Sequence, residues 1–266
     1  MGLHAGRMGR DDKIEVKAAM IRLARLTLAL AALVLLQTTF ARAAEQVDLL
    51  LVLASDVSRS VDHPKFLLQR EGYAAAISDP QVMEAIRSGP NQKIAVCFVE
   101  WSGFGAQKLV IGWTKVDGSA AARKFGDQLL ELPRSFADRT SISGGIEFSQ
   151  AQFATAPFEA PRRTIDVSGD GTNNAGRDVK LARDEALAQG IVINGLVILS
   201  DRPVPWNAEH TNPPGGLEKY YQDNVIGGPG AFVLVAENFN SFGRAIIKKL
   251  IAEIAFLPMA PHVIVR

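Results

Sequence analysis

The sequence predicts an α/β fold with three layers. Strand-like apolar runs alternate with segments in which apolar residues recur at helical spacing. The run that opens the stretch 47–60 and the run at 191–199 show little polar alternation, which is typical of strands buried on both faces. Two other runs, 93–101 and 107–113, are too close in sequence for a helical crossover, so they should form an antiparallel hairpin. We therefore expect a Rossmann-like, mostly parallel sheet with one antiparallel edge strand and helices on both faces.

The remaining elements are predicted from apolar spacing and from the positions of Pro and Gly. Pro133 should end one helix, and Gly190 lies just past the end of another. A long segment at 200–230 is rich in Pro, Gly and Asn, and such loops often carry function. The predicted helices are 64–77, 81–87, 119–132, 143–153, 178–189, 217–225 and 239–256, and the further strands are 163–168 and 231–235.

The first 43 residues differ from the rest of the chain. An apolar stretch at 26–36 follows Arg22 and Arg25 and precedes 41–43, a small-x-small pattern that signal peptidase accepts. The apolar stretch is shorter than the roughly 20 residues that span a bilayer, which disfavours an uncleaved anchor. We predict a signal peptide at 1–43, with Met20 as an alternative start, and a single domain at 44–266. The protein should be periplasmic or secreted, without stable membrane insertion after cleavage.

Charge and cysteine content argue against a nucleic-acid-binding protein and against a fold stabilised by disulfides. The chain has 29 basic and 28 acidic residues, of which seven basic and three acidic ones lie in 1–43. The predicted mature chain therefore has 22 basic and 25 acidic residues, so it lacks the basic surface that nucleic acid requires. Cys97 is the single cysteine, so no intrachain disulfide is possible. Because Cys97 lies in an apolar run, we expect a buried thiol rather than a nucleophile.

Polar side chains follow several of the predicted strands. Asp56, Ser58 and Ser60 come directly after the first strand, Thr140 lies in a later polar loop, and Asp170 follows the strand at 163–168. Because parallel strands end at the same edge of a sheet, these loops should converge where the strand order reverses. Carboxylate and hydroxyl oxygens suit a hard divalent cation. The alternative is that the residues after the first strand cap the following helix and that Asp170 stabilises a tight turn.

The segment DVSRS resembles the D-x-S-x-S motif of the von Willebrand factor A domain, a fold also found in integrin ligand-binding domains. In that family the motif opens a metal-ion-dependent adhesion site, which a Thr and an Asp complete. Thr140 in ADRTSISGGI and Asp170 in VSGDGTNN resemble those two residues. With its ASDVSRSVD segment, the chain is similar to an exported bacterial family of such proteins with unknown function. The resemblance implies that Asp56, Ser58, Ser60, Thr140 and Asp170 bind Mg²⁺, or Mn²⁺ or Ca²⁺.

Some nearby residues have more than one interpretation. Arg59 lies between the two serines, where it would weaken cation binding if it points inward or contact an acidic partner if it points outward. Asn173 and Asn174 favour a turn role over ligand binding. Trp206, Tyr220 and Tyr221 favour packing of the long segment over anchoring of a partner. The histidines at positions 63, 210 and 262 are scattered and indicate no zinc cluster.

Three functional hypotheses follow. The favoured one is an exported binding module whose cation engages an acidic group on a protein partner, without enzymatic activity. The second is a hydrolase with Asp56 or a serine as nucleophile. It is disfavoured because Ser58 stands where a second Asp is usual in phosphatases of the haloacid dehalogenase type, and because no G-x-S-x-G motif occurs. The third is a scaffold with a vestigial site in which Arg59 replaces the ion.

Overall fold

The computed structural model describes residue 17, residues 20–25, 44–199 and 207–255, and the backbone of 262–265. Contacts divide the chain into two units, Met1–Ala43 and Ala44–Arg266. Most of the predicted signal peptide, and Trp206 in the long segment, lie outside the described residues. Among the described residues, no helix has the length and apolar character needed to cross a membrane.

A seven-stranded sheet forms the centre of the second unit, with the strand order β4-β3-β2-β6-β7-β8-β9. All neighbouring pairs are parallel except β3 with β4, so the predicted antiparallel edge hairpin is confirmed. A separate parallel pair joins β1 and β5. The strands are β1 Glu45–Gln46, β2 Leu50–Asp56, β3 Ile94–Trp101, β4 Gln107–Val116, β5 Phe158–Glu159, β6 Arg163–Gly169, β7 Val192–Ile198, β8 Val233–Ala236 and β9 His262–Val265.

Helices cover both faces of this sheet, as predicted. One apolar cluster joins the sheet to α1, α2, α3 and α8, and a second joins it to α4, α5 and α7. Every side chain of β2 is buried, as the unbroken apolar run predicts for a central strand. The helices are α1 His63–Ile77, α2 Pro80–Arg87, α3 Ser119–Glu131, α4 Ile142–Gln152, α5 Val179–Ala188, α6 Ala208–Thr211, α7 Leu217–Asn224 and α8 Phe242–Ala255.

Some elements had no counterpart in the sequence prediction. The pair β1–β5 has two residues in each strand, α6 has four residues, and β9 pairs in parallel with β8 at the sheet edge. These short elements give too few residues for a periodic apolar pattern. Cys97 is buried in β3, as predicted, and burial raises the pKa of its thiol.

The strand order reverses at β2. The chain passes from β2 outward to β3 and β4 on one side, and then returns to pair β6 with the other side of β2. Loops that leave β2 and β6 at their carboxyl ends therefore diverge and leave a crevice between them. Asp56 ends β2 and Asp170 directly follows β6, so the fold brings these two predicted site residues to the crevice.

Candidate metal centre

Asp56 and the loop after it form the floor of the crevice. Asp56 accepts a hydrogen bond through Oδ1 from the backbone N–H of Ser58, at 2.7 Å. The hydroxyl oxygens of Ser58 and Ser60 lie 3.1 Å apart. All three side chains are buried. The three polar positions of the D-x-S-x-S segment therefore converge at one place.

Asp170 faces the same loop from the neighbouring strand. Its Oδ1 accepts a 2.6 Å hydrogen bond from the hydroxyl of Ser60. Among the described residues, Oδ2 of Asp56 and Oδ2 of Asp170 are buried without a hydrogen-bond partner. Burial, together with the negative charge of Asp170, raises the pKa of Asp56 to about 8, and burial also raises the pKa of Asp170. A bound cation would relieve both the burial and the repulsion of these carboxylates.

Thr140 is tied to the loop that follows Asp170. Its backbone N–H donates to Oδ1 of Asn174 at 2.9 Å, and its carbonyl accepts the backbone N–H groups of Asn174 and Ala175. The buried Thr140 hydroxyl lies on the same cavity as Ser60. The structure thus brings residues from all three predicted loops to one site.

The two asparagines join these loops to each other. Asn173 accepts a hydrogen bond from the backbone N–H of Ser143 at 3.1 Å and donates to the carbonyl of Arg177 at 3.0 Å. The Asn174 side chain accepts from Thr140. Their amides therefore serve the loop structure, as the turn interpretation predicted.

His210 is a site residue that the sequence did not indicate. It lies in α6, is 5% exposed, and its Nε2 is 3.1 Å from the Thr140 hydroxyl. Its Nδ1 lies 3.2 Å from the Thr172 hydroxyl. A Cβ at Gly171 would lie 2.3 Å from Cε1 and Nε2 of the ring, so this glycine leaves the space that the imidazole occupies. Burial lowers the pKa of His210, so the imidazole is neutral at neutral pH. The one signal for it was its location in a long loop after a central strand.

Hydrogen bonds to main-chain atoms hold the loop after β2 in position. Arg134 donates through Nη2 to the carbonyls of Val57 and Ser58, at 2.5 and 2.8 Å. The backbone N–H of Arg59 donates to the carbonyl of Asp138 at 2.8 Å. These contacts fix the loop through backbone atoms, so they leave the side-chain oxygens of the serines available to other partners.

Gly169 leaves the space in which Asp56 and Tyr221 meet. A Cβ at this position would lie 2.5 Å from the Tyr221 hydroxyl oxygen and 3.1 Å from Oδ2 of Asp56. The Tyr221 hydroxyl is buried and, within the described part of the chain, has no hydrogen-bond partner. Burial and the charges of both aspartates raise the pKa of Tyr221, so its phenol stays protonated. The side chain packs in the core, in agreement with the packing interpretation of the long segment.

The basic side chain that pairs with this site is Lys65. Its Nζ donates to the carbonyl of Ser60 at 2.8 Å and lies 3.7 Å from Oδ2 of Asp170. Arg59 is exposed, and the ion pairs of the described residues do not include it. The structure therefore lacks the arrangement in which the Arg59 guanidinium sits between the two aspartates.

The donor set fits a hard divalent cation. Mg²⁺ takes carboxylate and hydroxyl oxygens and retains several waters. Among the described residues, no three His, Cys, Asp or Glu side chains are arranged to hold a metal ion. A cation here would therefore depend on hydroxyls and water beside the two aspartates, which suits Mg²⁺ or Mn²⁺ better than a soft metal.

A polar cavity of about 380 Å³ opens above the site. Two of the predicted donors, Ser60 and Thr140, contribute to its wall together with His210. A ligand in this cavity could approach the site from solvent. The remaining lining residues are Arg59, Asp138, Arg139, Asn174 and Asn207.

Solved structures with the same fold include a mussel protein and a bacterial adhesin. Proximal thread matrix protein 1 from the mussel byssus, in a structure with a zinc-occupied MIDAS motif, aligns with a TM-score of 0.55 and 16% identity over 79% of this chain and 49% of its own. The pilus adhesin SpaC from Lactobacillus rhamnosus GG aligns with a TM-score of 0.53 and 12% identity over 80% of this chain and 31% of its own. The chain thus spans half or less of the length of these proteins. A comparison with curated proteins gave no match.

The sheet order and the structural neighbours show a von Willebrand factor A-like fold. A family model described as "Protein of unknown function (DUF1194)" matches residues 46–258. The chain belongs to that family.

Proposed function

We propose that this protein is an exported binding module in which a divalent cation at the carboxyl edge of the sheet engages an acidic group on a protein partner. The cation, most suitably Mg²⁺, would be held by Asp56, Ser58, Ser60, Thr140 and Asp170. The observation that carries the proposal is the pair of buried carboxylate oxygens, one on Asp56 and one on Asp170, that lack hydrogen-bond partners among the described residues. A site with two carboxylates and several neutral hydroxyls would leave the ion electrophilic, so it would attract a carboxylate from outside.

The fold neighbours are in keeping with this role. One of them is a pilus adhesin and another has a zinc-occupied MIDAS motif. The apolar stretch at 26–36 and the small-x-small pattern at 41–43 support export.

Calorimetric and thermal titration with Mg²⁺ and Mn²⁺ tests the cation site. A ligand that binds the native state at about 100 times its Kd stabilises it by about 2.7 kcal/mol, so saturating cation should raise the melting temperature. Asp170→Asn should abolish both the heat and the shift, because it removes a charged donor. Asp127→Asn, on the exposed surface of α3, is the matched control and should respond as the natural protein does. An absence of heat and of any shift at millimolar cation would contradict the proposal.

The hydrolase hypothesis has one structural feature in its favour. The Thr140 hydroxyl lies 3.1 Å from Nε2 of His210, a distance that suits a nucleophile and a base. The other ring nitrogen faces Thr172 and the amide of Asn174, so among the described residues no carboxylate forms a hydrogen bond with the imidazole. Ester and phosphate model substrates test this alternative. Turnover that disappears in His210→Ala or Asp56→Ala would favour it over the binding module.

A further inference from the structure

Two arginines at the mouth of the cavity have charges that the fold does not use. Arg59 and Arg139 are both exposed, and both line the cavity beside Ser60 and Thr140. Neither guanidinium forms a hydrogen bond or ion pair with any described side chain. Arg134 differs, because its guanidinium donates to the backbone of the loop after β2. Two guanidinium groups that have no partner among the described side chains favour an anionic ligand at this opening, since each can bind a carboxylate or phosphate in bidentate geometry.

The other polar groups at this opening favour a ligand with hydrogen-bond donors as well as acceptors. Asp138 lines the cavity with an exposed side chain, and its carboxylate can only accept hydrogen bonds when ionised. The amide of Asn207 can donate and accept. A peptide backbone offers N–H and C=O groups to such a surface. A phosphate group carries about −1.5 to −2 charges, so Asp138 would repel it more strongly than it repels a carboxylate.

An exposed aromatic side chain extends the opening into a groove. A second cavity, of about 590 Å³, shares Asp138 and Arg139 with the first, so the two adjoin. It is also lined by Phe104, in the turn between β3 and β4. Phe104 is 78% exposed, more than any other large hydrophobic side chain among the described residues. Aromatic residues and arginines are both enriched in protein interfaces relative to the rest of the surface.

We propose that this groove receives an extended acidic segment of a protein. One carboxylate of the segment reaches the cation, a second acidic side chain pairs with Arg59 and Arg139, and an apolar side chain packs against Phe104. The inference rests on the proposed function for the first carboxylate and adds the two further contacts. The charge of the two free arginines and the presence of Asp138 and Phe104 select an acidic peptide over a phosphorylated one.

Binding of synthetic peptides to the Mg²⁺-loaded protein tests this inference. The probes are acidic peptides with two glutamates at several spacings and one phenylalanine, a version with one glutamate changed to glutamine, and a version with phosphoserine in place of the second glutamate. We expect the peptide with two glutamates to bind best. A charge-assisted hydrogen-bonded pair contributes enough for about a tenfold to hundredfold difference in Kd.

Substitutions of the groove residues test whether the groove causes the difference in Kd between the peptides. The double variant Arg59→Gln with Arg139→Gln should remove the advantage of the second glutamate and leave binding of the single-glutamate peptide unchanged. Phe104→Ala should weaken both peptides by a similar factor. Arg123→Gln, an exposed arginine on α3, is the matched control and should bind all peptides as the natural protein does. Mg²⁺ should bind the double variant at least as tightly as it binds the natural protein, because the substitutions remove positive charge near the ion.

The outcomes separate the two proposals. Equal binding of the two-glutamate peptide by the double variant and the natural protein would overturn the groove inference. So would tighter binding of the phosphoserine peptide, or no binding of any two-glutamate peptide by protein that demonstrably holds Mg²⁺. Each of these results would leave the cation site intact. A failure of the natural protein to bind Mg²⁺ would instead overturn the proposed function.

Discussion

Asp166 lies within β6 and Asp170 directly follows it. Both are buried, and the fold balances their charges differently. In the middle of the sheet, Asp166 forms an ion pair with Lys249 of α8 at 2.7 Å, and Lys249 also pairs with Glu253 at 2.5 Å. At the carboxyl edge, Asp170 lies beside Asp56, and the nearest ammonium in an ion pair is 3.7 Å from Asp170. The central cluster therefore has a buried ammonium within 2.7 Å of both carboxylates, whereas the ammonium at the edge pair is 3.7 Å away.

The distance of the lysine distinguishes the central cluster, which is structural, from the edge pair, which is a candidate binding site. Lys249 is fully buried, and Asn194 supplies a further hydrogen bond to Glu253 at 2.8 Å. The lysine, held inside the fold, limits the rise in the pKa of Asp166, which burial raises to about 7. Asp56 has no such lysine, and its pKa rises to about 8. A buried carboxylate pair whose ammonium partner is partly exposed and 3.7 Å away is a reason to expect a cation from solvent.

Removal of Lys249, the buried counter-ion of the central cluster, should have the largest effect, which is a loss of stability. Lys249→Met would leave Asp166 and Glu253 buried without their lysine, and loss of one partner from a buried pair costs about 3–5 kcal/mol. Urea unfolding followed by circular dichroism measures this loss. Lys248→Met is the matched control, because Lys248 is the exposed neighbour on α8 and should change stability by less than about 0.5 kcal/mol.

The comparison between the two clusters would fail if both lysine variants were equally stable. In a further variant, Asp166→Asn together with Glu253→Gln should recover part of the loss in the Lys249→Met background, because it removes the uncompensated carboxylates. An absence of any recovery would indicate that Lys249 stabilises the protein through packing alone.

The sequence predicted the edge site better than the central cluster. Asp56, Ser58 and Ser60 follow an uninterrupted apolar strand, so their polarity marks the strand end, and the family resemblance supplied Thr140 and Asp170. Asp166 lies inside a strand, and a single polar residue in RTIDVS gives no indication of its partner. Lys249 and Glu253 have helical spacing in α8, where an exposed salt bridge is the ordinary expectation. Burial of that pair depends on how α8 packs, which its own sequence does not specify.

The same reasoning explains why His210 and Lys65 were missed. His210 reaches Thr140 from a loop that begins after β7, and no local spacing relates positions 140 and 210. Lys65 is at the start of α1, where a lysine usually lies in solvent, but the turn of the helix directs it toward Ser60. The mostly parallel sheet and its antiparallel edge hairpin were predictable because apolar runs and one short connection indicate them. The side chains that meet across the crevice depend on tertiary packing.

The pH dependence of Mg²⁺ binding should have the next largest effect. The pKa of Asp56 is raised to about 8, so below that pH the cation must displace a proton. Release of one proton makes the Kd about tenfold weaker per pH unit well below the pKa, or about fiftyfold weaker at pH 6 than at pH 8. In the absence of the cation, the raised pKa of Asp56 also makes the free energy of unfolding depend on pH. The free energy of unfolding should fall as the pH rises from about 4 to about 8, because the native state retains a proton that the unfolded chain has lost.

Calorimetry in buffers of different ionisation enthalpy measures both the affinity and the number of protons released. Asp56→Asn should weaken the pH dependence of Mg²⁺ binding and remove most of the affinity. A Kd that stays constant from pH 6 to pH 8 in the natural protein would show that Asp56 is ionised before the cation binds. The electrostatic contrast between the edge pair and the central cluster would then be wrong.

The smallest expected effect concerns Lys65, the basic side chain that pairs with the edge site. Its ammonium lies 3.7 Å from Asp170 and is 24% exposed, so it partly balances the charge that a cation would balance fully. Lys65→Met should therefore strengthen Mg²⁺ binding by about fivefold, which is about 1 kcal/mol. Lys124→Met, on the exposed surface of α3, is the control and should leave the Kd unchanged. Weaker binding in Lys65→Met would mean that the hydrogen bond from Lys65 to the Ser60 carbonyl holds the loop in its binding geometry, and that Lys65 supports the cation site instead of competing with the ion.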